Sequence, residues 1–146
     1  MIEVKNIKKV FGDKTIIEDV SSVMKAGQCN LIIGASGSGK TVLMKCMVGL
    51  FEPNEGEVLY SGESFTAMTG SDKTEIRKQI GMLFQGSALF DSQTVEQNVM
   101  FPLNMFTKDS YKEKLRRVNE VLERVNLVGA NKKFPSEVSG GMKKRV

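Results

Sequence analysis

The chain has 146 residues, 40% of them hydrophobic, a formal net charge of +4, two cysteines and no histidine. The missing histidines and the wide spacing of Cys29 and Cys46 exclude a zinc site, a histidine-based catalytic triad and a disulfide framework. No apolar run approaches the roughly 20 residues that span a bilayer, and no signal-peptide pattern is visible. We therefore expect a reduced, cytosolic protein with one domain-sized core.

The first third of the chain alternates strand patterns with one helix. Ile2–Ile7 alternates apolar and polar residues and predicts a half-exposed strand, and Thr15–Met24 continues it as an antiparallel region. Gln28–Ile33 is a short apolar run that predicts a buried strand. Gly39–Leu50 predicts a helix, and its inner face comprises Val42, Leu43, Met47 and Leu50.

A turn, a strand and a short helix follow. Pro53–Gly56 has turn composition, and Glu57–Tyr60 predicts the strand after it. Ser71–Gln79 predicts a helix for which Ser71 or Asp72 offers the N-cap.

The next two elements flank a loop. Ile80–Phe84 predicts a second buried strand, which ends at Gln85. Thr94–Met100 predicts a short helix that Thr94 caps and that ends before Pro102, because the residue before a proline disfavours helical geometry.

The clearest helix pattern covers Tyr111–Val125. Its apolar residues fall on one stripe, which comprises Leu115, Val118, Val121, Leu122 and Val125. A further helix is predicted to begin at Ser139–Gly141. The order of strands, loops and helices predicts an α/β core with a parallel sheet, flanked by antiparallel and helical additions.

Residues 34–41 read Gly-Ala-Ser-Gly-Ser-Gly-Lys-Thr and lie between a predicted strand and a predicted helix. This G-x-x-x-x-G-K-[ST] pattern directs backbone N–H groups and a helix N-terminus at a phosphate. Lys40 supplies a charge to the β- and γ-phosphates, and the Thr41 hydroxyl suits Mg²⁺. The predicted nucleotide-binding residues are Gly34, Ala35, Ser36, Gly37, Ser38, Gly39, Lys40 and Thr41.

The sequence Val-Ser-Gly-Gly-Met-Lys-Lys at residues 138–144 predicts a second anion site at a helix start. Read alone, Ser139, Gly140 and Gly141 could equally form an ordinary helix cap. Placed downstream of the phosphate loop, they resemble the L-S-G-G-x-x-[KR] signature of ABC-type ATPases. The resemblance implies that they cover the γ-phosphate of ATP bound by the Lys40 loop of a second copy, in a head-to-tail homodimer.

Two more positions match this family. Gln85 follows the predicted Ile80–Phe84 strand, where ABC ATPases place a glutamine that binds Mg²⁺ or the attacking water. Phe11 occupies the place of an aromatic residue that stacks on adenine, although a core role for Phe11 is also compatible with the sequence. The resemblance thus implies ATP and Mg²⁺ as cofactors, with Lys40 and Gln85 as catalytic residues and Thr41 and Gln85 as metal ligands.

The interval between Gln85 and Ser139 is too short for the coiled coils or zinc modules of chromosome and repair ATPases. It fits the helical subdomain of transporter ATPases, and residues 80–103 resemble the lipid-asymmetry (Mla-type) phospholipid transporter subunits. The resemblance implies integral membrane permease subunits as partners and a peripheral, cytoplasmic position on the inner membrane. Phe90, Phe101 and Phe106 could contact the permease or lie in the helical core.

The basic end of the chain leaves a competing function open. Residues 131–146 hold five basic side chains against Glu137 alone, so they carry the whole net charge. This is typical either of a solvated helix start or of a nucleic-acid or membrane contact. One alternative is therefore a nucleic-acid-associated ABC ATPase, although we expect no nucleic acid. A second is a non-catalytic nucleotide-binding module whose partner supplies the missing catalytic groups.

We predict an ABC-type P-loop NTPase fold with an antiparallel β-subdomain and a helical subdomain. The expected divisions are residues 1–84 for the β-subdomain and phosphate-loop core, 85–138 for the helical subdomain and 139–146 for the signature. The family also requires an Asp-Glu pair and a histidine after the signature, but the sequence reaches only Val146. We therefore expect a fragment that lacks the C-terminal part of the core and does not hydrolyse ATP alone.

Overall fold

The structure is a computed structural model that describes residues 1–84, 86 and 88–146. The chain forms two compact units, Met1–Gly81 and Met82–Val146. The division between them falls three residues before the boundary that the sequence predicts. Within the described ranges, every helix is too short or too polar to cross a bilayer.

The first unit is built on an antiparallel sheet. Its strands are β1 (Ile2–Phe11), β2 (Lys14–Met24), β3 (Glu55–Tyr60) and β4 (Glu63–Ser64). Their order is β2-β1-β3-β4, and every neighbouring pair runs antiparallel. The predicted strands at Ile2–Ile7, Thr15–Met24 and Glu57–Tyr60 are therefore confirmed, and β1 extends four residues further than predicted.

Two helices complete this unit: α1 (Lys40–Met47) and α2 (Gly70–Arg77). Helix α1 ends earlier than predicted because Gly49 takes a φ of +71°, which leaves Leu50 beyond the helix and 52% exposed. The core contains residues from the sheet, from α1 and from the β4–α2 segment, namely Val4, Ile7, Ile17, Leu43, Met47, Val58 and Phe65.

The N-cap of α2 is Thr69, so the prediction of Ser71 or Asp72 was wrong. The Thr69 hydroxyl accepts a hydrogen bond from the Asp72 backbone N–H at 3.4 Å. Ser71 and Asp72 instead lie in the first helical turn, where the Asp72 carboxylate faces the positive end of the helix dipole.

Neither predicted buried strand is present. Gln28–Ile33 and Ile80–Phe84 pair with no described segment, and the side chains of Leu31, Ile33 and Leu83 are 78%, 83% and 76% exposed. A parallel strand exists only through hydrogen bonds to a neighbour, and the described residues form only the antiparallel sheet. The predicted parallel sheet is therefore wrong for this part of the chain.

The second unit is helical. It contains α3 (Val95–Phe106), α4 (Tyr111–Arg124), a 3₁₀ turn (Pro135–Glu137) and α5 (Gly140–Lys143). Its core draws on both long helices and the segment after them, through Val95, Met100, Val118, Leu122, Leu127, Ala130 and Val138.

The long helices begin as the sequence predicts. Thr94 caps α3 and Ser110 caps α4, each in a reciprocal capping box with the residue three positions later. The predicted apolar stripe of α4 is correct except for Val121, which is 45% exposed.

The predicted end of α3 before Pro102 was wrong. The helix continues to Phe106 with Pro102 in its interior, although proline removes one helical hydrogen bond. Val99 and Leu103, on either side of Pro102, pack against the buried cluster of this unit. Packing of the apolar face thus keeps the helix intact across the proline.

Candidate functional site

The glycine-rich loop comes directly before α1 in the first unit. Gly37 and Gly39 take φ values of +79° and +87°, in the left-handed region, and Gly39 is the N-cap residue of α1. The Gly39 carbonyl already accepts the first helical hydrogen bond, from the Leu43 N–H at 2.8 Å. The backbone therefore turns sharply from the loop into the helix, as the pattern predicts.

A Cβ would meet close neighbours at two positions of this loop, the backbone at Gly39 and the rotatable Ser38 side chain at Gly34. A Cβ on Gly39 would lie 2.9 Å from the Ile16 carbonyl oxygen on β2, and a Cβ on Gly34 would lie 2.8 Å from the Ser38 hydroxyl. The loop is thus a close-packed backbone cradle. A cradle of this kind lets a phosphate approach main-chain N–H groups.

Lys40 is folded into the loop that precedes it. Its Nζ donates hydrogen bonds to the carbonyl oxygens of Gly34 and Ala35, at 2.8 and 2.7 Å. The ammonium therefore lies on the inner side of the loop, at the start of α1. The first turn of α1 contains no acidic residue to offset the positive end of its dipole.

The donor set fits a phosphate group that carries Mg²⁺. The loop supplies backbone N–H groups and one ammonium, and the exposed Thr41 can supply a hydroxyl ligand. Gln85, the second predicted metal ligand and catalytic residue, lies outside the described residues. Ala35, Ser36 and Ser38 are exposed in the loop.

Phe11 lies at the end of β1 and is 43% exposed. Its ring meets the Phe51 ring edge-on, with centroids 5.2 Å apart and an interplanar angle of 74°. The Lys9 ammonium lies 5.0 Å from the Phe11 ring centroid. Because Phe11 is absent from the buried cluster of the unit, the structure favours an accessible ring over a core role.

The predicted signature lies in the second unit. Ser139 is the N-cap of α5, and its hydroxyl accepts a hydrogen bond from the Met142 N–H at 3.2 Å. Gly140 and Gly141 are exposed in the first turn. Arg145 anchors this turn, since it donates to the Gly141 carbonyl at 3.3 Å and to the Val125 carbonyl at 2.8 Å.

A buried carboxylate supports the segment before the signature, and sequence reasoning missed it. Glu96 is only 5% exposed, and its carboxylate accepts hydrogen bonds from Tyr111 at 2.9 Å, Asn131 at 3.2 Å and Lys132 at 3.5 Å. Burial alone would raise its pKa, but these donors together outweigh burial and lower the pKa below the ordinary value.

Backbone hydrogen bonds reinforce this contact. The Val95 N–H donates to the Lys133 carbonyl at 2.8 Å, and the Glu96 N–H donates to the Asn131 carbonyl at 3.0 Å. The start of α3 is therefore joined to residues 131–133, shortly before Ser139. The available sequence signal was an acidic residue in the first turn after the Thr94 cap, but its burial could not be inferred from that position.

Three phenylalanines of the second unit are accessible. Phe90, Phe101 and Phe106 are 46%, 39% and 52% exposed, and the Phe90 and Phe101 rings lie 4.9 Å apart. Phe90 and Phe101 also line a cavity of about 360 Å³ in this unit. Of the two roles that the sequence allows for them, their exposure favours a contact surface over a helical core.

The phosphate cradle and the Ser-Gly-Gly helix start together define an ABC-type ATPase domain. The family model described as "ABC transporter" matches residues 17–146, and the chain belongs to this family.

Among curated proteins, the chain is 42% identical over 144 residues to the probable ribonucleotide transport ATP-binding protein Mkl of Mycobacterium leprae. It is 44% identical over 152 residues to the methionine import ATP-binding protein MetN of Escherichia coli K12. These alignments cover 99% and 100% of the chain but 42% and 43% of the relatives. The chain thus spans less than half the length of the curated relatives it matches.

Solved structures confirm the fold class. The dimeric bacterial ABC transporter cassette MJ0796 matches with a TM-score of 0.88 and 30% identity, covering 99% of this chain and 66% of the cassette. The CbiO1 subunit of the Clostridium perfringens CbiONQ transporter complex matches with a TM-score of 0.81 and 25% identity, covering 99% of the chain and 57% of that subunit.

Proposed function

We propose that this chain is the nucleotide-binding part of an ABC transporter ATPase, and that Gly34–Thr41 binds Mg²⁺-ATP. The observation that carries the proposal is the close-packed cradle of Gly34 and Gly39 with the Lys40 ammonium on its inner side. Backbone N–H groups, a helix N-terminus and a lysine are the elements by which proteins hold triphosphates.

Lys40→Ala tests this proposal. We expect the variant to lose at least tenfold in affinity for Mg²⁺-ATP, because it removes the charge nearest the β- and γ-phosphates. The measurement is a titration of the purified chain by isothermal calorimetry. Lys25→Ala is the matched control, since it removes the same charge from an exposed position of the same unit and should bind like the parent chain. Equal affinities of the Lys40→Ala variant and the parent chain would refute the proposal.

The signature completes this site in trans under the same proposal. Ser139, Gly140 and Gly141 of one copy cover the γ-phosphate of ATP held by the Lys40 loop of another, so two nucleotides lie between two subunits. The exposure of both glycines supports this role, as does the resemblance to a cassette whose structure is dimeric. Gln85 and Thr41 serve the bound Mg²⁺, and Phe11 receives the adenine.

We further propose that the protein containing this chain couples ATP hydrolysis to transport, on the cytoplasmic face of the inner membrane. Its partners are integral membrane permease subunits, and exposed Phe90, Phe101 and Phe106 support a contact surface for them. Phospholipid is the proposed cargo, on the strength of the resemblance of residues 80–103 to Mla-type subunits.

The relatives carry two other cargoes in their names, a ribonucleotide and methionine. Purification of the protein with its membrane subunits, followed by extraction and mass spectrometry of bound molecules, separates these possibilities. Enrichment of phospholipid over both small molecules supports the lipid proposal, and stimulation of ATP turnover by methionine or a ribonucleotide contradicts it.

A further inference from the structure

The segment after α1 is fastened to the end of β1. The Asn54 N–H donates to the Lys8 carbonyl at 2.8 Å, and the Asn54 side chain accepts from the Val10 N–H at 2.9 Å. Lys9 Nζ donates to the Glu52 carbonyl at 2.7 Å. These hydrogen bonds hold residues 52–54 beside the strand that ends in Phe11.

The same segment is also fixed to the end of α1. The backbone N–H groups of Leu50 and Phe51 both donate to the Lys45 carbonyl, at 2.8 and 3.1 Å. The Lys45 ammonium lies 5.1 Å from the Phe51 ring centroid, within the range of a cation–π contact. Phe51 is therefore tied to the helix whose first residue is Lys40.

The Phe51 side chain connects these two attachments. Its ring forms the edge-on contact with Phe11, and Lys9 contacts the Phe11 ring as well. Two neighbours thus restrain the Phe11 ring, while 43% of that residue remains exposed. Aromatic pairs prefer this edge-to-face geometry, so the contact favours one orientation of the ring.

We propose that Phe51 is a positioning residue for the nucleobase and thereby sets the preference for ATP over triphosphate lacking a base. This inference rests on the proposed function. The base and the phosphates of a nucleotide are joined covalently, so the separation of the base platform from the phosphate loop is limited to what one nucleotide can span. Phe51 provides that constraint because it joins the end of α1 to the Phe11 ring.

The test compares affinities for Mg²⁺-ATP and for Mg²⁺-tripolyphosphate in Phe51→Ala, Phe51→Leu and Phe51→Tyr. We expect the alanine and leucine variants to lose about threefold to tenfold in affinity for ATP, since base stacking on an aromatic ring is lost in part. Their affinity for tripolyphosphate should be unchanged. Phe51→Tyr keeps the aromatic ring and should bind ATP with the affinity of the parent chain.

Leu50→Ala is the matched control. Leu50 neighbours Phe51, donates to the same Lys45 carbonyl and is 52% exposed, so its truncation should change neither affinity. If Phe51→Ala fails to fold, Phe51→Leu decides, because it keeps most of the apolar volume. Parent-like binding of ATP by Phe51→Leu overturns the inference, as does an equal loss for ATP and tripolyphosphate.

Lys40→Ala separates this inference from the proposed function. That substitution should weaken both ligands, because both present phosphates to the loop. If it weakens neither, the proposed function fails and the inference falls with it. If it weakens both while the Phe51 variants show no selective loss, only the inference fails.

Discussion

At the scale of single residues, Glu96 is a buried carboxyl whose ionised form is disfavoured by burial. Transfer of a carboxylate out of water is costly unless donors replace the lost hydration. Tyr111, Asn131 and Lys132 supply those donors, and the pKa of Glu96 lies below its ordinary value as a result. Folding therefore favours the ionised form of this group.

This shift makes the stability of the second unit depend on pH. The Glu96 carboxyl has a lower pKa in the folded chain than in the unfolded chain, where it lies near 4.5. Its ionised form therefore stabilises the fold fully above the unfolded pKa, and this stabilisation is lost as the pH falls through the folded pKa. We expect Glu96→Gln to lower the free energy of unfolding by about 1–3 kcal/mol at pH 7. The free energy of unfolding of the Glu96→Gln variant should also decline less steeply than that of the parent chain below about pH 4.5.

Urea unfolding at a series of pH values, followed by circular dichroism, measures this effect. Glu120→Gln is the control, because Glu120 is exposed and pairs with the exposed Arg116, at 2.6 Å. Surface pairs of this kind contribute little, so the control should follow the parent chain. The same acid slope in the parent chain and in Glu96→Gln would contradict this account.

At the scale of elements, α3 shows that tertiary packing outweighs the unfavourable helix propensity of a proline. Pro102 lies inside the helix and removes a backbone donor, yet Val99 and Leu103 on either side pack against the buried cluster. The helix then closes with the Thr107 N–H donating to the Leu103 carbonyl at 3.0 Å. Burial of the apolar face of α3 therefore offsets the helix stability that Pro102 removes.

Pro102→Ala should therefore stabilise the second unit. Alanine restores the missing helical N–H and removes the steric conflict, and part of that gain is offset by a more flexible unfolded chain. We expect an increase of about 2 kcal/mol in the free energy of unfolding, measured by urea denaturation. Pro53→Ala is the control: it makes the same change outside any helix and should leave stability unchanged or lower it. A loss of stability in Pro102→Ala would show that α3 needs the proline.

At the scale of the whole molecule, the two glycine-rich motifs of the chain lie in different units. The phosphate loop belongs to Met1–Gly81, and the Ser-Gly-Gly turn belongs to Met82–Val146. Under the proposed function, each site is completed by the opposite site of a second copy. Assembly should therefore depend on nucleotide and on both units.

Ser139→Arg tests this assembly. We expect the parent chain to dimerise with Mg²⁺-ATP, and the variant to stay monomeric because a large cation replaces the small hydroxyl beside the γ-phosphate. Sedimentation velocity with and without Mg²⁺-ATP measures the change. Ser136→Arg places the same cation on the exposed 3₁₀ turn and should dimerise like the parent chain. Nucleotide-dependent dimerisation of Ser139→Arg would exclude the signature from the interface.

Local patterns predicted much of this molecule. The glycine loop, the Thr94 cap and the stripe of α4 each depend on residues a few positions apart, so the sequence displays them directly. The Ser139 turn was predictable for the same reason.

Long-range contacts limited the rest of the prediction. A strand such as Gln28–Ile33 needs a hydrogen-bonded neighbour, and an apolar run cannot show whether one is present. Glu96 meets Asn131 across 35 positions, and its burial follows only from that contact. The pairing of Phe11 with Phe51 is likewise a product of the folded sheet and helix.

The position of Lys40 also bears on which anions the loop can distinguish. Two of its three ammonium hydrogens are already engaged by the Gly34 and Ala35 carbonyls. An anion that binds here has to compete with these two carbonyls for the ammonium. Under the proposed function, the several charges of a polyphosphate should compete better than the single charge of chloride or a carboxylate. Under the proposed function, we therefore expect the loop to prefer polyphosphates to small monovalent anions.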